Sequence, residues 1–281
     1  MTFHRCISIC LLGFVAAVPS FADSILEFQS TEFGQGQPIV GTVQISTSGD
    51  NTRLEINSVS SAEAGGMIFH GARDEMIILD HAQGSYMIID QARMNAMASQ
   101  VSQAMTQMQE ALAAMPPEQR ALAEQMMQRQ FPAAAPKQSP KQSPDIINAL
   151  GSHGEVAGIE CRNYEVMRDG RKVRELCMSD WDDIAGGQET AEALKDVAGF
   201  FESMRQAFSG AGAMDAFDRQ QELFGHMNEL DGYPILYRDF SASGALERQV
   251  ILTSARQEDV SPRFFKPPQG YKLQELPQGM K

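Results

Sequence analysis

Between residues 24 and 90 apolar and polar positions alternate: Leu54 and Ile56 stand against Arg53 and Glu55, and Val43 and Ile45 against Thr42 and Gln44. A period of two belongs to a strand with one buried face. Turn residues interrupt the pattern at Gly49-Asp50-Asn51, Gly65-Gly66, Gly71 to Asp74 and His81 to Gly84. This predicts the strands SILEFQSTEF, PIVGTVQIS, TRLEINSV, MIFH, EMIILD and SYMIID in an antiparallel meander. One apolar face of that meander needs a cover.

After Asp90 the period changes. Met94, Ala98, Val101, Met105, Met108, Leu112 and Met115 follow a 4-3-4-3-4-3 spacing, which places them on one stripe of a helix. Asp90 is the expected N-cap, and Pro116-Pro117 ends the helix. A second, shorter helix carries Leu122, Met126 and Met127, so residues 91–131 read as a methionine-rich helical hairpin. The tandem KQSP of residues 132–144 cannot pack a core and reads as an exposed linker.

Strand patterns return in GEVAGIECRNYEVM and RKVRELCMSD. Amphipathic helices follow over Glu189 to Phe208 and Ala213 to Leu230, split by Ser209-Gly210-Ala211-Gly212. Two more strands, YPILYRDF and LERQVILTSA, precede the closing RFFKPPQGYKLQEL. Strands, helical insertion, strands, helices and strands make an α+β order, and residues 23–281 suit a single domain.

Residues 1–22 read as a secretory signal peptide. Arg5 supplies the positive n-region, Cys6 to Val18 are apolar but short of a membrane span, and Ser20-Phe21-Ala22 offers small residues before Asp23. Cleavage is expected after Ala22, leaving no transmembrane segment and placing the chain in the periplasm. It removes Cys6 and Cys10 and leaves Cys161 and Cys177, which flank the turn signal Arg168-Asp169-Gly170. With those three residues as the hairpin loop, Met167 faces Arg171, Glu165 faces Val173 and Cys161 faces Cys177. In an oxidising compartment this predicts one structural disulfide.

Composition narrows the function classes. The chain has 281 residues, 43% of them hydrophobic, with 23 Lys+Arg against 36 Asp+Glu and a formal net charge of −13. An acidic balance excludes a nucleic-acid binder, whose phosphate contacts need a basic face. Catalytic and metal signatures are missing: there is no G-x-S-x-G or H-E-x-x-H, and Gly34-Gln35-Gly36 leads into a strand, not a helix. Asp180-Trp181-Asp182-Asp183 opens like a calcium loop, but Ile184 and Ala185 stand where a ligand oxygen and Gly are required. His70, His81, His153 and His226 are scattered through the sequence. No cofactor is called for, and the single Trp181 reads as an anchor between hairpin and sheet. Methionine is the outlier, with 17 residues. A helical stripe of this flexible, polarizable side chain suits a lid or partner surface, with Met94, Val101, Met105, Met108, Leu112, Met115, Met126 and Met127 as the ligand or partner face. Monovalent copper on pairs such as Met94/Met97 is the lesser alternative.

The run GMIFHGARDEMIILDHAQGSYMIID, the strand GYPILYRDF and the closing RFFKPPQGYKLQ, with Phe264 or Phe265, Pro267, Pro268, Gly270 and Tyr271, resemble a periplasmic family related to the Lol-type lipoprotein carriers and receptors. The resemblance spreads over most of the chain after residue 22. It implies a curved, incompletely closed antiparallel sheet, a half-barrel covered by helices, whose hydrophobic concavity accepts acyl chains. The expected function is a non-enzymatic periplasmic binding protein for a lipid or lipid-modified protein. The alternative is a cell-envelope interaction module that docks another protein on the methionine-rich hairpin without a small ligand.

Overall fold

Two antiparallel meanders meet on the first strand among the described residues. The computed structural model describes residues 23–34, 36–58, 64–116, 119, 144–207, 225–227, 229–230 and 232–275. The first meander holds β1 (Ser24–Glu32), β2 (Ile39–Ser48), β3 (Asn51–Ser58), β4 (Gly65–His70), β5 (Glu75–Asp80) and β6 (Ser85–Asp90). The second holds β7 (Ile146–Val156), β8 (Ile159–Arg168), β9 (Arg171–Ser179), β10 (Tyr233–Phe240) and β11 (Leu246–Gln257). Helix α1 (Gln91–Ala114) leaves β6, and helix α2 (Gly187–Ala207) follows β9. A last short strand, β12 (Lys272–Leu273), adds in parallel to β6. The twelve strands form one sheet in the order β12-β6-β5-β4-β3-β2-β1-β11-β10-β9-β8-β7. It curves without closing, as a half-barrel does.

Alternation gives the sheet two different faces. On the inner face Leu26, Ile45, Leu54 and Met67 share one rung, and Phe28, Val43 and Ile56 the next. Helix α2 packs here: its Val197, Phe200, Phe201 and Met204 meet Phe69, Met76 and Met94, with the Phe69 and Phe200 rings 5.5 Å apart. On the outer face Ile25, Ile68, Ile77 and Leu79 are covered by Val260, Phe264 and Phe265. The C-terminal aromatic and proline residues thus form a strap across the back of the sheet. A buried polar chain holds it down. Arg53 lies 4.5 Å from the Phe264 ring centre, donates to the Phe264 carbonyl and pairs with Glu55. Glu55 Oε2 is 2.6 Å from His81 Nε2, and His81 Nδ1 is 2.7 Å from the Tyr271 hydroxyl.

Helix α1 begins as its sequence requires. The Asp90 side chain accepts from the Arg93 amide at 2.8 Å, satisfying one of the unpaired N–H groups of the first turn. It ends at Ala114, and Met115 is extended because Pro116 bars it from helical geometry. Helix α2 lies within two residues of the span read from periodicity. The second arm of the methionine-rich hairpin, the linker up to residue 143 and most of the 213–230 helix lie outside the described residues.

The disulfide joins Cys161 to Cys177 with their Cα atoms 5.3 Å apart, but the hairpin register differs from the one derived above. The loop has two residues, not three: Asp169 and Gly170 both take positive φ, 52° and 71°, so Arg168 pairs with Arg171. This is the backbone of a tight hairpin turn whose twist matches the strands. A bulge between Val166 and Met167 then absorbs one residue, so that Asn163 faces Cys177 and Cys161 reaches it diagonally. The stretch read as one strand over residues 154–167 is also broken. Ala157 and Gly158, at φ 52° and 80°, turn the chain between β7 and β8.

Gly154 of β7 faces Cys161 and lies under the bridge: a Cβ there would stand 3.0 Å from Cys177 Sγ and 3.4 Å from Cys161 Sγ. Gly154→Ala is expected to cost about 1–3 kcal/mol in the oxidised protein, as overpacking does. Reduction is expected to cost the wild type about 3 kcal/mol through chain entropy. Denaturant midpoints with and without reductant check both, and the Gly154→Ala penalty should shrink once the thiols are free to rotate away.

Candidate functional site

The inner face encloses a cavity of about 640 Å³. Its floor comes from alternate positions of three neighbouring strands: Phe28 of β1, Val43 and Ile45 of β2, Leu54 and Ile56 of β3. Tyr233, Pro234 and Tyr237 of β10 with Val250 of β11 supply the far wall, and Leu194, Val197 and Phe201 of α2 the roof. Trp181 packs on Tyr233 with ring centres 5.0 Å apart, fixing the wall to the turn that launches α2. A volume of this size, lined mainly by aliphatic and aromatic groups, matches a ligand site. Burial pushes the Tyr233 and Tyr237 phenols up, so both stay neutral across the physiological range.

The two ends of the cavity differ. One end lies at the rung of Ser24, Thr47 and Thr52 beneath the start of α2. There Ser24 Oγ is 2.5 Å from Thr47 Oγ1 and 2.8 Å from Thr190 Oγ1. At the opposite end, eight residues along β1, one rung carries alternating charges across four strands: Arg174 of β9, Asp239 of β10, Arg248 of β11 and Glu32 of β1. Arg174 Nε donates to Asp239 Oδ1 at 2.6 Å, and Arg248 Nη2 to Asp239 Oδ2 at 2.7 Å. The Tyr237 ring lies beside both guanidinium groups, 5.9 Å and 5.6 Å away. Each charge is flanked by its opposite, which is the cross-strand arrangement that stabilises a sheet. A second, polar cavity of about 340 Å³ opens beyond this rung and shares Glu32, Arg174 and Arg248 with the first.

The members of the methionine-rich stripe whose side chains are described do not line this cavity. Met94 is fully buried in the core between α2 and β4–β5, Val101 and Leu112 are half-buried, and Met115 is 36% exposed. The side chains of Met105 and Met108, and all of Met126 and Met127, lie outside the described residues. The methionines lining the cavity are Met67 of β4 and Met227. Their floor neighbours were present in the alternating pattern as an uncovered apolar face. The charged rung carries no local signal, since its four members are far apart in sequence and only strand pairing aligns them. Among the described residues no group of three or more His, Cys, Asp or Glu is placed to hold a metal ion.

Asp239 accepts hydrogen bonds from two guanidinium groups, so Asp239→Asn is expected to lower stability by about 2 kcal/mol, the scale of a charge-assisted hydrogen bond. Glu32→Gln, whose carboxylate makes no ion pair among the described residues, should change it by less than about 0.5 kcal/mol. Thermal unfolding of the two variants side by side checks the contrast.

No protein-family model matches the chain, and no curated protein matches it. Solved structures similar to it include an uncharacterized conserved protein from Thermus thermophilus, at 6% identity over 90% of both chains with a TM-score of 0.41. MucB from Pseudomonas aeruginosa, solved in complex with MucA, is 10% identical over 87% of this chain and 55% of its own, with a TM-score of 0.35. A LolA superfamily protein from Nitrosomonas europaea is 7% identical over 89% of this chain and 91% of its own, with a TM-score of 0.31.

Proposed function

We propose that the protein is a non-enzymatic periplasmic binding protein that holds an apolar ligand, a lipid or the acyl part of a lipid-modified protein, in the inner cavity of the half-barrel. The observation that carries this reading is the cavity itself: about 640 Å³, floored by apolar side chains of β1–β3 and roofed by α2. Each methylene moved from water into such a space gains about 0.8 kcal/mol before ordering costs. Hydrophobic transfer therefore suffices for binding, and no fixed polar motif is required.

The test is organic extraction and mass spectrometry of the protein purified from its own host. Acyl lipid is expected in stoichiometric amount. Val43→Trp, which fills the floor, should release it while leaving the circular dichroism spectrum unchanged. Repeated absence of lipid from the wild type would overturn the reading.

Export with cleavage after Ala22 belongs to the same proposal. Asp23 then becomes the first residue, and its carboxylate already accepts from the Val260 amide at 2.7 Å while Ser24 is fully buried in the sheet. A cut further downstream would strip β1 of these contacts. N-terminal sequencing of the exported protein should accordingly begin at Asp23.

A further inference from the structure

We infer that the polar cavity of about 340 Å³ is a head-group subsite, and that the ligand is an amphiphile with a zwitterionic head, a phosphate bearing a primary amine, whose chains lie in the apolar cavity. This rests on the proposed function and specifies the ligand class. The two cavities are neighbours with opposite chemistry, and they meet at Glu32, Arg174 and Arg248. An apolar chamber opening into a charged one is the shape of a molecule with a tail and a head.

The charges select the head. Arg174 is the anion-binding group. It is only 8% exposed, and among the described residues its guanidinium makes one hydrogen bond, from Nε to Asp239. Its two terminal nitrogens are therefore available on a side chain that lines both cavities, in the forked geometry that phosphate oxygens fit. Other charges of the compartment are occupied by each other: Asp145 by Arg168 at 2.7 Å and 3.0 Å, and Asp239 by Arg174 and Arg248. Glu32 and Glu247 line the same space with no ion pair among the described residues. The lining holds four carboxylates, those of Glu32, Asp145, Asp239 and Glu247, against three guanidinium groups, those of Arg168, Arg174 and Arg248, and this excess disfavours a purely anionic head and favours one that brings a cation as well. The rung alternates sign from strand to strand, at a spacing of about 4.8 Å, so a head with a cation and an anion a few ångströms apart meets complementary charge along it.

The experiment measures binding of single-chain amphiphiles with one common tail and different heads to the purified protein lacking residues 1–22. The heads are phosphoethanolamine, phosphoglycerol, carboxylate and an uncharged glycerol ester. Wild type is expected to bind the phosphoethanolamine amphiphile on the order of tenfold more tightly than the phosphoglycerol or uncharged ones. Arg174→Gln should remove that advantage while retaining the uncharged amphiphile. Glu32→Gln should bring phosphoethanolamine and phosphoglycerol to parity, and this variant tests the idea even if Arg174→Gln fails to fold. Equal affinity of wild type for all four heads overturns the inference and leaves the apolar-ligand reading standing. Failure of wild type to bind any of them overturns both. Preference for the carboxylate or phosphoglycerol head supports an anion site and overturns the zwitterion assignment.

Discussion

Everything in this molecule depends on β1 being paired on both sides. Its nine residues run against β2 on one side and β11 on the other, and among the described residues no other strand pairing joins the two meanders into one ladder. A strand buried between two partners must be apolar on at least one face and must satisfy every backbone group through its neighbours. Ser24 adds a side-chain weld at the start of this seam, bonding to Thr47 of β2 and Thr190 of α2. Gly186 permits the approach: it has φ +72°, and a Cβ there would fall 2.2 Å from that of Ser24. Helix α2 is in this way tied to the strand that joins the two meanders, and the roof is placed by the same residues that join the halves.

The cavity follows from a mismatch of dimensions. Twelve strands at about 4.8 Å spacing span roughly 50 Å before the sheet curls, whereas a 21-residue helix is about 31 Å long and covers a strip. Helix α2 commits its Phe200 and Met204 to Phe69 and Met76, on the β4–β5 side. Toward Glu32 and Ile39 the inner face of β1 and β2 continues beyond that strip, and the apolar space stays open there. On the outer face the strap leaves no comparable gap among the described residues, because Phe264 and Phe265 sit directly on the sheet and Arg53, Glu55, His81 and Tyr271 satisfy one another beneath it. Two faces of one sheet thus end with opposite characters, one sealed by a polar chain and one hollow.

The cross-strand register also decides where charge sits. Arg174, Asp239, Arg248 and Glu32 come from four strands and fall on one rung because the β9–β10, β10–β11 and β11–β1 pairings align them. Burying such groups is tolerable because each has an opposite neighbour across the ladder. Their position at the end of the apolar floor, and not within it, keeps the hollow hydrophobic while giving it a polar mouth.

Short-range physics was readable from the chain alone. Period-two alternation located the strands of the first meander, Asp90 and Pro116 bounded α1, and the two cysteines left after residue 22 allowed a single pairing, which Cys161 and Cys177 adopt. Each of these rests on contacts within a few residues or on a choice with one answer. The hairpin register was not decided locally, because Asp169 and Gly170 make the tighter turn and a bulge at Val166 restores alignment. The strap was legible as an aromatic and proline pattern, yet its docking on Arg53 and the parallel pairing of β12 with β6 depend on residues about two hundred positions earlier. Methionine periodicity marked one helix stripe, but Met94 went to the core while the cavity drew Met67 and Met227. A residue's own pattern tells which face of its element is apolar. Whether that face meets another element, a ligand space or a charged rung is set only when twelve strands and their covers are placed together.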